Sequence, residues 1–212
     1  DTSSYLHGPG TMDDPNFMQK EIANVNAEIG WTFSLRGAYD SAEVYFSEAF
    51  KTKSYEKHRD HSSALTNFAF HTLHKGEFRK ARILMEQALS LAHQLFGQQS
   101  YEYLQILDGL NTIDITLANY SEAESGCNKA LEILNANDSP DKDYLAYLKM
   151  QLARVKHLQG YYQSAEELYN GALDLATPSQ IRYYQITMAL SALQCDLTRY
   201  SESYNLALKA TK

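Results

Sequence analysis

The chain repeats itself five times, at a period too long for one helix or strand to account for. The segments read Gly37-Ala38-Tyr39-Asp40-Ser41-Ala42, Gly76-Glu77-Phe78-Arg79-Lys80-Ala81, Ala118-Asn119-Tyr120-Ser121-Glu122-Ala123, Gly160-Tyr161-Tyr162-Gln163-Ser164-Ala165 and Thr198-Arg199-Tyr200-Ser201-Glu202-Ser203. Their aromatics, at 39, 78, 120, 162 and 200, are separated by 39, 42, 42 and 38 residues. Seven residues beyond each closing small residue stands an alanine: Ala49, Ala88, Ala130, Ala172 and Ala210. Self-similarity at such a period marks a stack of supersecondary units, each burying its apolar face on the next.

The spacing inside one unit predicts helices. Ala42 and Phe46, or Ala165 and Tyr169, lie four residues apart and so on one helical face, where the small residue admits a neighbouring helix and the large one fills the space beside it. A glycine before the aromatic supplies the left-handed turn that ends a preceding helix. Upstream of each turn runs another stretch of helical period, at 21–36, 60–75, 101–117, 141–159 and 179–197. Ser139-Pro140 and Thr177-Pro178 read as a capping hydroxyl before a proline at the first helical position, and Gly97 as a stop after Phe96. The expected architecture is all-α, an α-solenoid of about five antiparallel helix pairs. The array covers 21–212, with repeats at 21–58, 59–99, 100–138, 139–177 and 178–212. Residues 1–20, with Gly8-Pro9-Gly10 and Asp13-Asp14-Pro15, read as a flexible or extended lead-in, which would be able to fold back as an internal ligand.

Asn26-Ala27-Glu28-Ile29-Gly30 through Phe33, followed by Ala42-x3-Phe46 and Ala49, resembles the tetratricopeptide repeat. The other units match it more loosely. Ala69, Asn111, Ala153 and Ser191 stand where Gly30 does, and Cys127 and Ala207 replace the bulky residue. A spacing near 42 is similar to the long variant found in kinesin light chains. The resemblance implies a right-handed superhelix whose first helices line a concave surface that holds a peptide. On that surface it places Asn24, Glu28 and Trp31, then Asn67, Phe70 and His74, then Asp108 and Thr112, then Tyr147, Gln151, Arg154 and His157, and finally Gln185 and Met188. Trp31 and Phe70 hold equivalent places in neighbouring repeats, either as a pocket for a peptide side chain or as packing between helices. The Lys, Arg and Asn set with which some family members grip a C-terminal carboxylate is not reproduced. Its positions carry Ala27, Trp31, Asn67, Gln105 and Gly109, of which only the Asn agrees.

Charge and motifs remove other classes of function. A net charge of −7, from 19 basic and 26 acidic residues, argues against a nucleic-acid partner. Cys127 and Cys195 lie far apart, with no paired spacing for a disulfide framework or a zinc knuckle. His58-Arg59-Asp60 has the letters of a kinase catalytic loop without the rest of that machinery. His71 and His74, like His58 and His61, share a helical face but lack the further ligands a metal requires. No phosphate loop, dinucleotide fingerprint or nucleophile elbow occurs, so no cofactor is expected. Asn119-Tyr120-Ser121 fits a glycosylation acceptor, but its Tyr is expected to be buried in the repeat turn. Tyr101, Tyr103, Tyr144, Tyr147, Tyr183 and Tyr184 gather at the starts of first helices and read mainly as packing between repeats.

No run of about 18 apolar residues predicts membrane insertion. Unpaired cysteines suggest an intracellular, cytoplasmic setting, or an organelle if a targeting segment preceded Asp1. At the other end Leu193, Leu197, Leu206 and Leu208 suggest an apolar face, hence further repeats or self-association there. The expected function is a non-catalytic scaffold or adaptor for a peptide or protein. A regulatory module of a larger enzyme and an assembly factor of a large complex are the alternatives.

Overall fold

A computed structural model describes residues 16–57, 60–137, 139–178 and 180–209. Most of the lead-in, residues 1–15, and His58-Arg59 of the kinase-like triplet lie outside the described residues. The chain divides into two compact units, Asp1–Gly97 and Gln98–Lys212. In the first, helices α1 (Phe17–Leu35) and α2 (Tyr39–Phe50), a 3-10 turn (Lys53–Lys57), α3 (His61–His74) and α4 (Phe78–Phe96) follow one another. The second holds α5 (Tyr101–Thr116), α6 (Tyr120–Asn135), α7 (Lys142–Leu158), α8 (Tyr162–Leu173), α9 (Ile181–Asp196) and α10 (Tyr200–Lys209). The ten α-helices of the described residues form the five pairs expected, and no strand lies among those residues.

One turn design joins every pair. In the first, the Gly37 amide donates to the Ser34 carbonyl and the Ala38 amide to that of Phe33, so the last carbonyls of α1 are satisfied by the residues that leave it. The same two bonds recur from Gly76 and Glu77, Ala118 and Asn119, Gly160 and Tyr161, and Thr198 and Arg199. The first residue of each couple has φ between 60° and 82°, a region costly to any side chain with a Cβ. Ala118 and Thr198 occupy it without being glycine.

Several boundaries differ from expectation. Helix α1 starts at Phe17, four residues before the predicted 21. Neither proline opens a helix. Asp141, beyond Pro140, caps α7 by accepting from the amides of Asp143 and Tyr144, a stronger acceptor than the Ser139 hydroxyl. Thr177 instead begins a turn closed by the Gln180 amide, and α9 starts at Ile181. Gly97 ends α4 as predicted, with φ 81°.

In the first unit, α2 lies close on α1 because Gly30 has no side chain. A Cβ there would meet the Phe46 ring at 3.1 Å and the Ala42 carbonyl oxygen at 3.2 Å. Phe46 is fully buried, packed on Phe68 at 4.9 Å and His71 at 5.4 Å between ring centres. His71 is a core residue, with Nδ1 3.1 Å from the Ser34 hydroxyl. Burial holds its pKa below the usual histidine value, which keeps it neutral in this apolar setting. The 3-10 turn is tied down by Tyr55, fully buried against Ala23, Ala27, Ala49 and Ala64.

In the second unit the predicted small residues Ala123, Ala130, Ala165 and Ala172 are all buried, as are Cys127 and Tyr169. Where serines replace the small pair between α9 and α10, the Ser191 hydroxyl donates to the Ser203 carbonyl at 2.9 Å, so the polar substitution carries its own partner. Of the four leucines predicted for the terminal face, Leu208 alone is exposed. Leu193 is fully buried, Leu197 and Leu206 pack against the core, and the exposed apolar side chains are Tyr200, Tyr204 and Leu208. The aromatic that opens each second helix is not uniformly buried either. Tyr39 and Tyr120 are half-buried, but Phe78, Tyr162 and Tyr200 are exposed.

Candidate functional site

The predicted surface residues fall on the first helices of the pairs, and each unit presents its own set. In the first unit, Asn24, Glu28 and Trp31 recur at helical spacing along α1, and Asn67, Phe70 and His74 along α3. Trp31 joins the two rows. Its ring is 6.4 Å from that of Phe70, and it stacks on His74 at 6.5 Å and 19°. Trp31 and Phe70 are half-buried, while Glu28 and His74 are exposed. The two rings therefore pack on each other and still show an edge to solvent. Asn24 turns its Oδ1 to the Tyr55 hydroxyl at 3.1 Å.

The second unit presents a polar cluster. The Tyr147 hydroxyl on α7 donates to Asp108 Oδ2 on α5 at 2.7 Å, and Gln151 Nε2 donates to the Tyr147 oxygen at 3.1 Å. The Arg182 guanidinium of α9 lies 4.3 Å from the Tyr147 ring centre and donates to Gln185 at 2.8 Å. Asp108 Oδ1, the Tyr144 hydroxyl and Arg182 Nε are buried without a hydrogen-bond partner. Burial pushes the Asp108 carboxyl up to about 6, against the opposing pull of Tyr147, Arg182 and Gln151. Burial also pushes the Tyr144 and Tyr147 phenols up, with the Asp108 charge adding to the effect in both.

The remaining predicted residues do not join this cluster. His157 Nε2 contacts Asp196 Oδ2 at 2.8 Å, linking α7 to α9 near their ends, and the His157 ring meets Tyr162 edge-on. Arg154 and Met188 are exposed. Thr112 is half-buried, and its carbonyl is taken by the Thr116 hydroxyl.

No family model matches the chain, and no curated protein does. Solved structures do. BtubC from P. vanneervenii superposes with a TM-score of 0.75 at 17% identity, covering 93% of this chain and 81% of its own. A putative kinesin light chain of Podosopora anserina, with nearly identical TPR-like repeats, also gives 0.75, at 13% identity and with coverage of 91% and 94%. PilF of Pseudomonas aeruginosa gives 0.65 at 15% identity, covering 91% and 78%. The fold is tetratricopeptide-like. Identities this low establish the fold and not the function.

Within this tetratricopeptide-like fold, two contributors escaped the sequence reading. Arg182 lies one turn before the predicted Gln185 and would have been found by extending that row backwards. Tyr55 sits in the connection between repeats, where periodicity is silent, and only its aromatic bulk in a polar stretch marks it. Cys127 is core, its thiol pushed up to about 12 by burial, which removes it from nucleophilic chemistry. Among the described residues no group of histidines, cysteines and carboxylates converges on a metal-sized site. No described helix is long and apolar enough to cross a membrane.

Proposed function

We propose that this chain is a protein-interaction scaffold, holding a peptide or protein partner on the first-helix faces, α1 with α3 in one unit and α5, α7 and α9 in the other. The observation that carries the reading is the Trp31 platform, a large aromatic stacked with His74 and Phe70 yet half open, flanked by Asn24, Glu28 and Asn67. Aromatic anchors ringed by polar groups supply most of the affinity of protein interfaces. The tetratricopeptide-like fold supports the reading, because its stacked pairs leave a row of first helices facing outward. The second unit offers a surface of the same kind on its own first helices, with Gln185 and Met188 exposed on α9.

Site-specific photo-crosslinking in a cell extract tests this. A crosslinker at His74 or Met188, on first helices, is expected to capture a common partner. One at Val44 or Ile83, which are exposed on second helices, is not. Capture through Val44 and Ile83 alone would overturn the assignment.

A further inference from the structure

The platform of the first unit sets a carboxylate with no ion pair among the described residues beside its aromatic surface. Glu28 stands one helical turn before Trp31 on α1, is exposed, and makes no ion pair among the described residues. Glu21 lies two turns before Glu28. Helix α3, which supplies Phe70 and His74, carries no lysine or arginine, and the only basic residue on α1 is Lys20. The buried Tyr55 phenol, bonded to Asn24 at the foot of the same face, is pushed up first by burial and then by Asp60, Glu28 and Glu21 together. Glu21 and Glu28 outnumber Lys20 on α1, within a chain that is itself net −7.

We infer that the α1/α3 face of the first unit takes a basic peptide segment, seating an arginine guanidinium on the Trp31 indole beside the Glu28 carboxylate. This deepens the scaffold reading and rests on it. An apolar guest on Trp31 would strip water from Glu28 and offer it nothing in return. An acidic guest would face Glu21 and Glu28, while the lysine that caps the end of α3, Lys75, is already engaged by Glu43 and Glu77. A guanidinium satisfies both neighbours, because it stacks flat on an indole and donates in its own plane to a carboxylate. It is also more weakly hydrated than an ammonium, which favours arginine over lysine at a half-buried ring. Asn24 and Asn67, half-buried at the edges, offer amides to the backbone of an extended segment.

The test is selection of a random-sequence peptide library against the full chain, followed by affinity measurements on the enriched peptides. Enriched peptides are expected to contain arginine. They should lose about tenfold or more in affinity against Glu28→Lys, a tenfold loss being about 1.4 kcal/mol, and should weaken as salt rises. Glu28 is exposed, so this variant keeps the fold even if Trp31→Ala does not. Changing the arginine of an enriched peptide to lysine should weaken it, and changing it to norleucine should abolish binding. Enrichment of neutral or acidic peptides that depend on Trp31 would overturn this inference and leave the scaffold reading standing. Basic peptides bound equally by wild type and Glu28→Lys would also overturn it. Peptides indifferent to every first-helix substitution in both units, or no enrichment at all, would overturn both.

Discussion

Asn111 on α5 fills the space that a side chain at Gly126 on α6 would need: a Cβ built on Gly126 would stand 1.9 Å from the Asn111 Oδ1. The two residues are complementary departures from the repeat. Asn111 replaces the glycine or alanine of Gly30 and Ala69, and Gly126 replaces the larger Tyr45 and Leu84 found at its position in the first two repeats. Each is tolerable because of the other. Gly126→Ala is expected to cost about 1–3 kcal/mol through overpacking. In an Asn111→Ala background the same change should instead stabilise by up to about 1 kcal/mol, the helix-propensity gain of alanine over glycine. That reversal of sign, read from urea midpoints in a double-mutant cycle, measures the coupling directly.

The turns predict a second asymmetry. Ala118 and Thr198 sit at φ 60° and 62°, where Gly37, Gly76 and Gly160 relieve the same turn. Ala118→Gly and Thr198→Gly should each stabilise by about 0.5–1 kcal/mol, the relief of the left-handed strain less the extra entropy of an unfolded glycine. The gain should be larger at Thr198, whose branched Cβ fits this region worst. Gly160→Ala should lose about 1 kcal/mol. Equal thermal midpoints for all three variants would show that the turns bear no such strain.

Asp108 sets a pH dependence whose sign is unusual for a carboxylate. Its folded value, raised to about 6 from an ordinary 3.8, means that the native state holds the proton more tightly than the unfolded chain. This group's contribution is therefore full below about pH 4 and is lost as pH rises through about 6. His71 works the other way. Its lowered folded value means that stability is lost as pH falls below the ordinary histidine value, near 6.5. Asp108→Asn keeps an acceptor for Tyr147 and removes only the first effect. The variant should gain on wild type progressively between pH 4 and 6 and stay ahead at pH 7, measured as the difference in urea midpoint. A constant difference across that range would show that Asp108 titrates normally.

Much of this organisation was legible in the sequence for a physical reason. The contact between helices of a pair is local and periodic, so Ala42, Phe46 and Ala49 announce it, and all three are fully buried. Burial of Ala123, Cys127 and Ala130 follows from the same periodicity in a repeat whose match is looser. The helix starts near Pro140 and Pro178 were misplaced because a Ser-Pro or Thr-Pro pair looks like a cap in isolation, whereas Asp141 competes more strongly for the free amides. The polar cluster was half legible. Asp108, Tyr147 and Gln151 were each placed on the first-helix surface, but the bonds between them depend on the rotation of α7 against α5, which no single-helix pattern encodes. Arg182, reaching in from α9, was missed for the same reason.

Tyr55 carries the last prediction because it shows that a connection can be as structural as a helix. Its ring is fully buried among alanines of α1, α2 and α3, and its hydroxyl donates to Asn24 Oδ1 at 3.1 Å. Tyr55→Phe removes a hydroxyl shared between Asn24 Oδ1 and, at 3.3 Å, the Asp60 carbonyl, and leaves the ring, so it should cost about 1 kcal/mol, the net worth of one donated hydrogen bond. It also releases Asn24 on the candidate face. Tyr55→Ala removes the plug and should cost about 3–5 kcal/mol, as other buried aromatic truncations do. Trp31 is the chain's one tryptophan and lies on α1, so its fluorescence reports the first unit selectively during thermal unfolding. Both variants should lower the transition seen by fluorescence, the alanine far more. An alanine variant that melts with wild type would show that the 3-10 turn is a passive linker and that α1 is held by α2 and α3 alone.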